Sequence, residues 1–382
     1  MRNHLMLFVF FFVVGFSSHA QNPTSDREDP DFFPIAVWLQ NPNNVSSYKN
    51  NGINMYVGIH AGLDQESLDL LKGADMKVIC HQNKFALQNL DEPLIYAWMQ
   101  DDEPDNAQWN EITKKYDPCI DPEVIFNIFE DVKNNDPSRP VYLNLGRGVA
   151  VSNWVGRGVC SGNTDMYKIS NNGYLKACDI ASYDVYPVNS NEKTVKDSLW
   201  YVAKGVDNLM EWSDYSKPVW CWIETTKIGE GSARKPTPAE VKLQVWMALV
   251  HGVSGIGYFC HSFHPNFDDA ALLHDKEMIA AVKSINQQVS QLAPVLNSPT
   301  TSEFATVSSS NNSVPIDIMA KKHNGTSYIF AVAMRPGLTD ATFEVEEGKY
   351  VEVIGENRSI PLHEGQFSDS FSEYAVHLYK IH

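Results

Sequence analysis

Two glutamates end otherwise aromatic and apolar runs of the chain. Glu103 ends the run YAWMQDDE, and Glu224 ends the run VWCWIE. Burying a carboxylate is costly unless it has partners or a use, so a single glutamate of this kind is often a structural acid. Two of them, each following tryptophans, favour one reactive site in which a pair of carboxyl groups performs acid–base and nucleophilic chemistry.

Catalysis by paired carboxyl groups requires two different environments. One group must stay protonated so that it can donate a proton, and the other must stay ionised so that it can attack. Glu103 directly follows Asp101 and Asp102, and an ionised aspartate beside it would favour its protonated form. Glu224 needs a hydrogen-bond donor to stay ionised and aligned. We predict Tyr186 for this role, with Tyr183 as the second candidate.

The elements that must position these residues are eight apolar runs of strand length. They alternate with amphipathic stretches, the pattern of repeated β-α units with a parallel sheet. Over residues 31–299 this predicts an α/β fold, a (β/α)₈ TIM barrel, whose usual length is about 250 residues. A doubly wound open sheet would carry a glycine-rich phosphate turn after its first strand, and residues 41–44, NPNN, are not one. The predicted strands are Phe33–Gln40, Ile53–His60, Lys77–Asn83, Ile95–Gln100, Val141–Leu145, Ile180–Tyr186, Val219–Glu224 and Gly257–His261.

Five stretches between the strands predict helices, two of them entered through Asp-Pro or Thr-Pro. They are Asp64–Gly73, Asp121–Asn134, Thr194–Trp212, Thr237–His251 and Leu272–Leu292. From residue 300 to residue 382 the pattern changes to short alternating runs, which predict a small antiparallel β-sandwich domain.

The chain begins with one arginine, a short apolar core and a small-residue site, which predict a cleavable signal peptide over residues 1–20 and a leader over 21–30. A membrane anchor is the alternative, but the apolar run is shorter than the roughly 20 residues that span a bilayer. We therefore expect a secreted or periplasmic protein without stable membrane insertion.

Three motifs at strand ends resemble the retaining glycoside hydrolases of clan A. They are Asp-Glu-Pro at 102–104, Tyr-Asp-Val-Tyr-Pro at 183–187, and Glu224. The similarity is to β-galactosidase-like barrels of the family 42 type and covers roughly residues 31–299. It implies that Glu103 is the general acid/base and Glu224 the nucleophile. Many members carry an asparagine that contacts the sugar 2-hydroxyl before the acid/base, where this chain has Asp102.

A cleft for sugar rings combines stacking aromatic side chains with amides and imidazoles. Working residues of such a barrel lie where its strands end, on one face. The predicted substrate-binding residues are therefore Asp102, Trp38, Gln40, His60, Gln82, Asn83, Asn144, Tyr183, Tyr186, Trp222 and His261.

The charge balance argues against nucleic acid as a partner. The chain has 47 acidic and 30 basic side chains, a formal charge of −17, and no basic run. The same balance favours neutral glycans over polyanionic ones unless Arg147 or Arg157 lines the cleft.

Neither a metal nor a cofactor is predicted. Barrel metallohydrolases usually begin with a His-x-His pair on the first strand, where this chain has Trp38 and Gln40. The six cysteines have no zinc-site spacing. Cys80, Cys221 and Cys260 lie in strand-like runs and are expected to be buried. The sequence does not decide whether two of Cys119, Cys160 and Cys178 form a disulfide.

The sequence thus predicts a secreted glycoside hydrolase that cleaves a β-linked oligo- or polysaccharide by double displacement. Two alternatives remain: an inverting or transglycosylating enzyme with the same carboxylates, and an inactive carbohydrate-binding protein on the same barrel. The sequence makes no prediction of oligomeric state.

Overall fold

A computed structural model describes residues 29–106, 109–152, 154, 163–301 and 304–382. The predicted signal peptide and most of the leader lie outside the described residues. In the part of the chain that is described, no helix is long and apolar enough to cross a membrane.

Eight parallel strands close into a barrel, as the sequence predicted. Around the barrel their order is β1-β8-β7-β6-β5-β4-β3-β2. The last strand begins two residues earlier than predicted, and the others lie within their predicted ranges. The strands are β1 Ile35–Gln40, β2 Met55–Ile59, β3 Lys77–Cys80, β4 Ile95–Met99, β5 Val141–Leu145, β6 Ile180–Asp184, β7 Val219–Glu224 and β8 Gly255–Phe259.

Helices surround the barrel, and three of them begin at capping residues that the sequence indicated. Asp64 and Thr237 each form a capping box, and Asp121 caps a helix with proline at its first position. The helices are α1 Val45–Lys49, α2 Gln65–Gly73, α3 Lys84–Leu87, α4 Pro122–Asn135, α5 Tyr201–Trp212, α6 Pro238–Val250, α7 Ala271–His274, α8 Lys276–Gln291 and α9 Ala293–Leu296.

The predicted start of α5 at Thr194 is wrong. Residues 194–200 form turns, and the helix begins at Tyr201. Asp197 has a left-handed backbone (φ 58°), which an α-helix does not accommodate, and its N–H is bonded to the Pro187 carbonyl.

Tryptophans fill the barrel interior, and glycines on β8 make room for them. Trp222 meets Trp38 edge-to-face at 4.9 Å between ring centroids. A Cβ on Gly257 would lie 2.2 Å from the Trp222 ring, and one on Gly255 would lie 2.5 Å from Trp220. This close packing fixes the floor beneath the carboxyl-terminal rim of the barrel.

An antiparallel β domain follows the barrel, as predicted. One sheet has the order β9-β12-β15 and the other β10-β11-β16-β13-β14. The strands are β9 Ala305–Ser309, β10 Ile316–His323, β11 Thr326–Ala333, β12 Thr339–Val345, β13 Tyr350–Val353, β14 Arg358–Pro361, β15 Gln366–Phe371 and β16 Val376–Ile381. β14 and β15 have few apolar residues, so the alternating pattern that predicts the other strands is weak in them.

The β domain packs directly on the barrel helices. Trp246 of α6 meets Phe330 of β11 at 5.4 Å between ring centroids. Lys321 of β10 donates a hydrogen bond to the Leu296 carbonyl at 2.9 Å. The domain therefore contributes to the core that supports the outer face of the barrel.

The cysteines behave as two groups. Cys80, Cys178, Cys221 and Cys260 are buried free thiols. Cys119 is disulfide-bonded, so the chain does contain a bridge. Cys160 lies outside the described residues.

Candidate active site

A cavity of about 210 Å³ opens at the carboxyl-terminal rim, beside the ends of β4, β5 and β6. Glu103, Arg147, Asp184, Tyr186 and Asn189 are among the residues that line it. Working residues of (β/α)₈ barrels lie at this face, so the cavity is the first candidate for chemistry.

Glu103 is held in a conformation that a glutamate rarely adopts. Its backbone is left-handed, with φ 46°. The Glu103 N–H donates to the Asn144 carbonyl at 3.0 Å, and the Asn106 amide donates to Glu103 Oε2 at 3.0 Å. Strained residues of this kind cost roughly 1–3 kcal/mol and cluster at functional sites.

Glu103 and Asp184 form a carboxyl pair in the cavity. Their side chains hydrogen-bond to each other, and the Tyr186 hydroxyl lies next to Asp184. Burial, followed by the charges of Glu103 and Asp102, raises the pKa of Asp184 well above its usual range. Since two carboxylates at hydrogen-bond distance cannot both ionise readily, this pair retains a proton.

A further carboxyl lies next to Glu103. Asp105 is buried and accepts hydrogen bonds from the Gly146 N–H at 2.8 Å and from the Tyr167 hydroxyl at 2.9 Å. Burial and then the charge of Glu103 raise the pKa of Asp105 to about 7. The like-charge neighbours of Glu103 therefore include Asp105 and Asp184, which the sequence analysis did not anticipate.

Glu224 lies in a different environment. It is fully buried, and its carboxylate accepts hydrogen bonds from the Val188 N–H at 2.8 Å, the Asn189 N–H at 2.9 Å and the Asn189 side-chain amide at 2.8 Å. Burial raises its pKa to about 7, and these donors oppose that rise. Asn189 lines the cavity and lies between it and Glu224.

The predicted donors to Glu224 are wrong. The Tyr186 hydroxyl lies next to Asp184 instead. Tyr183 points outward from β6, where its hydroxyl donates to the Val202 carbonyl in α5 and its ring packs on Gly205. Tyr183 therefore does not line the cleft, because alternate residues of a strand point to opposite faces.

Polar groups continue from the rim into the barrel. Asn144 donates to Asp102 Oδ1 at 2.9 Å and accepts from the Ser182 hydroxyl at 2.7 Å. Trp222 Nε1 donates to the Tyr142 hydroxyl oxygen at 2.8 Å, and that hydroxyl is bonded to Ser182 at 2.5 Å. Trp222 is thus a buried part of the floor, tied to Asp102 through three side chains.

An aromatic row leads from the cavity towards solvent. Tyr186 meets Phe259 at 5.2 Å between ring centroids, and Phe259 meets His261 at 5.0 Å. His261 lies 6.0 Å from Phe263 and 5.7 Å from Phe267. The last two rings are 54% and 58% exposed, so this row offers apolar surface beside a polar cavity.

Four other predicted binding residues lie away from the Glu103 cavity. Gln40 is buried and donates to the Trp38 and Asp269 carbonyls, and the His60 ring lies 3.6 Å from the Asp269 carboxylate. Gln82 and Asn83 line a separate depression of about 730 Å³ between the ends of β3 and β4 and helix α4.

The remaining two predicted residues are buried around β1. Trp38 lies inside the barrel, and His261 Nε2 lies 3.0 Å from the Leu39 carbonyl oxygen. Burial lowers the pKa of His261. In the described ranges, no group of three or more histidine, cysteine or acidic residues is arranged to hold a metal ion.

Four residues of the site, Asp105 among them, were not predicted as site residues. Asp184 could have been found from strand alternation, because Ile180 and Ser182 precede it at inward positions of β6. Arg147 was named only as one of two arginines that could line the cleft. Asn189 carries no sequence signal, since its contact with Glu224 joins residues 35 apart in the chain.

Comparison with known proteins shows a shared fold. No protein-family model and no curated protein sequence matches this chain. The solved structure of AmyP in complex with maltose aligns with a TM-score of 0.56 and 10% identity, covering 92% of this chain and 96% of AmyP. An α-amylase from Geobacillus thermoleovorans, complexed with acarbose, aligns with a TM-score of 0.53 and 12% identity over 92% of this chain and 98% of its own.

Proposed function

We propose that the chain is a glycoside hydrolase that cleaves a β-linked glycan by double displacement. Glu103 acts as the general acid/base and Glu224 as the nucleophile. The single observation that carries the proposal is the carboxyl pair of Glu103 and Asp184, which retains a proton in a cavity at the catalytic face of a barrel. The likeness of the fold to that of an α-amylase supports glycosidase activity.

In the first step Glu103 gives its proton to the glycosidic oxygen while a Glu224 oxygen bonds to the anomeric carbon and the carbon–oxygen bond breaks. In the second step Glu103 takes a proton from water, whose oxygen displaces Glu224. Because Glu224 is fully buried behind Asn189, the Val188–Asn189 segment must shift before a sugar reaches it.

Two further parts of the proposal rest on sequence motifs. We propose that residues 1–20 direct export, and that the barrel is of the family 42 type, on the motifs at 102–104 and 183–187. The aromatic row from Tyr186 to Phe267 supports an oligosaccharide substrate, because sugar rings stack on aromatic faces.

The complete burial of Glu224 also favours a second candidate, a carbohydrate-binding protein that does not turn over its ligand. A nucleophile that stays covered by Asn189 would leave a cavity able to hold a sugar without cleaving it. Product release separates the two candidates.

The test is a panel of aryl β-glycosides and β-linked polysaccharides with the wild type and the variants Glu103→Gln and Glu224→Gln. Loss of the acid should lower kcat/KM about 10²- to 10⁴-fold on poor leaving groups and much less on good ones, which need no protonation. Loss of the nucleophile should abolish turnover of substrates with poor leaving groups and of those with good ones.

Glu111→Gln is the matched control, because Glu111 is exposed and forms an ion pair with the exposed Lys114. It should behave as wild type. Near-normal turnover by Glu224→Gln would overturn the nucleophile assignment. Ligand binding without product across the whole panel would favour the binding protein.

A further inference from the structure

We propose that Arg147 selects substrates whose sugar in the Glu103 cavity carries an anionic oxyacid group, a carboxylate or a sulfate ester. The inference rests on the proposed glycosidase function and names its substrate class. From the sequence alone, an anionic substrate was expected only if an arginine lines the cleft.

Arg147 lies in the wall of the cavity. It begins the short 3₁₀ turn Arg147–Val149 that directly follows β5 and Gly146. It shares the cavity with Glu103, Asp184 and Ser190. Of the described residues that line this cavity, Arg147 is the only basic one, so it is the group that distinguishes an acidic sugar from a neutral one.

The guanidinium is held in a fixed orientation. Its carbon lies 5.4 Å from the centroid of the Trp154 ring, and Nη2 bonds to Glu192 Oε2 at 2.6 Å. Stacking on an aromatic ring sets the plane of a guanidinium. Glu192 is half exposed, and an exposed ion pair of this kind contributes at most about 1 kcal/mol, so it orients Arg147 without saturating it.

One donor of Arg147 is buried and has no partner among the described residues. Arg147 Nε lies out of solvent and makes no hydrogen bond to any residue that the structure describes. A buried donor left unpaired costs roughly 1–3 kcal/mol. The Arg147 side chain as a whole is 26% exposed, so a carboxylate or a sulfate in the cavity can pair with the accessible N–H groups of its guanidinium.

The acidic residues nearby do not cancel this preference. Glu103 and Asp184 retain a proton between them, and burial with the charge of Glu103 raises the pKa of Asp105 to about 7. The neighbourhood of Arg147 is thus less negative at neutral pH than its count of carboxyl groups suggests. The chain charge of −17 disfavours a polyanion along the surface, but not one anionic group inside a cavity that holds an arginine.

The experiment compares kcat/KM for 4-nitrophenyl β-glucuronide, the matching β-glucoside and its 6-sulfate. The variants are Arg147→Gln and Arg147→Lys, with Lys193→Gln as the control because it removes the same charge from an exposed position. We expect the wild type to prefer one of the anionic substrates. Arg147→Gln should lose about 10- to 100-fold on that substrate and less than about twofold on the glucoside, with Arg147→Lys between them.

The two anionic substrates decide between a carboxylate and a sulfate ester. A wild-type preference for the glucoside, or an equal loss on all three substrates in Arg147→Gln, would overturn the inference while leaving the glycosidase function standing. If the wild type cleaves none of them, calorimetry with glucuronate, glucose and inorganic sulfate tests the arginine separately. Equal binding of these probes by the wild type and Arg147→Gln would then overturn it.

Discussion

Two of the depressions at the carboxyl-terminal rim of the barrel show that the larger cavity need not be the reactive one. The larger one, of about 730 Å³, is lined by residues such as Gln82, Asp101 and Asp131. The smaller one, of about 210 Å³, holds Glu103 and Asp184. Volume reports the space available to a ligand, whereas ionisable groups that are buried beside one another report a site built for reaction.

Two polar side chains of the larger depression make hydrogen bonds that stabilise the fold. Gln82 donates to the Val132 carbonyl and accepts from Asn135, both in α4. Asn83 caps α3 and donates to the Leu63 carbonyl. In the smaller depression the carboxyl groups of Glu103 and Asp184 instead interact with each other. Burying them together costs free energy, which a function explains.

Asp184→Asn is expected to have the largest effect on catalysis, and this effect distinguishes the two depressions. An asparagine cannot share a proton with Glu103, so the variant lacks the carboxyl pair that retains a proton in the wild type. We expect kcat on poor leaving groups to fall about 10²-fold at neutral pH. The alkaline limb of the pH–rate profile should move to lower pH.

Asp131→Asn is the matched change in the larger depression. Asp131 is exposed, so this variant should keep the wild-type rate and profile. An unchanged profile in Asp184→Asn, or an equal loss in Asp131→Asn, would break the distinction between the two depressions.

The barrel and the position of Glu103 were predictable because they depend on local patterns. Strand-length apolar runs, caps such as Asp121 and the alternation of side chains each act over a few residues. The same alternation places Tyr183 on the outer face of β6 and Asp184 on the inner face. The prediction of Tyr183 was wrong because it used the end of the strand and not this two-residue period.

The supports of Glu224 were not predictable in the same way. Its three donors come from Val188 and Asn189, in the loop after the preceding strand. Their approach depends on how that loop folds over the rim. No local pattern in the sequence encodes this, and the same holds for the burial of Arg147 Nε.

The next effect concerns stability. Asp105 has a pKa of about 7 in the fold against an ordinary value of 3.8, so the native state binds its proton more tightly than the unfolded state does. Its contribution to stability is fully present below about pH 4 and is lost as the pH rises to about 7. Asp105→Asn removes this dependence.

The measurement is the melting temperature between pH 4 and pH 8 for the wild type, Asp105→Asn and Asp131→Asn. The difference between Asp105→Asn and the wild type should move in favour of the variant as the pH rises, by an amount of the order of a few degrees. Asp131→Asn should run parallel to the wild type. Parallel curves for all three would mean that Asp105 is not a desolvated acid next to Glu103 of the smaller depression.

The smallest expected effect is that of Gln82→Ala in the larger depression. Because both ends of the Gln82 amide are bonded to α4, its loss should cost about 1 kcal/mol of stability. The kcat/KM values should change less than about twofold on aryl glycosides and on long oligosaccharides alike. A tenfold loss confined to long oligosaccharides would instead place the larger depression in the path of the glycan, as the sequence analysis predicted for Gln82. The two depressions would then be parts of one cleft.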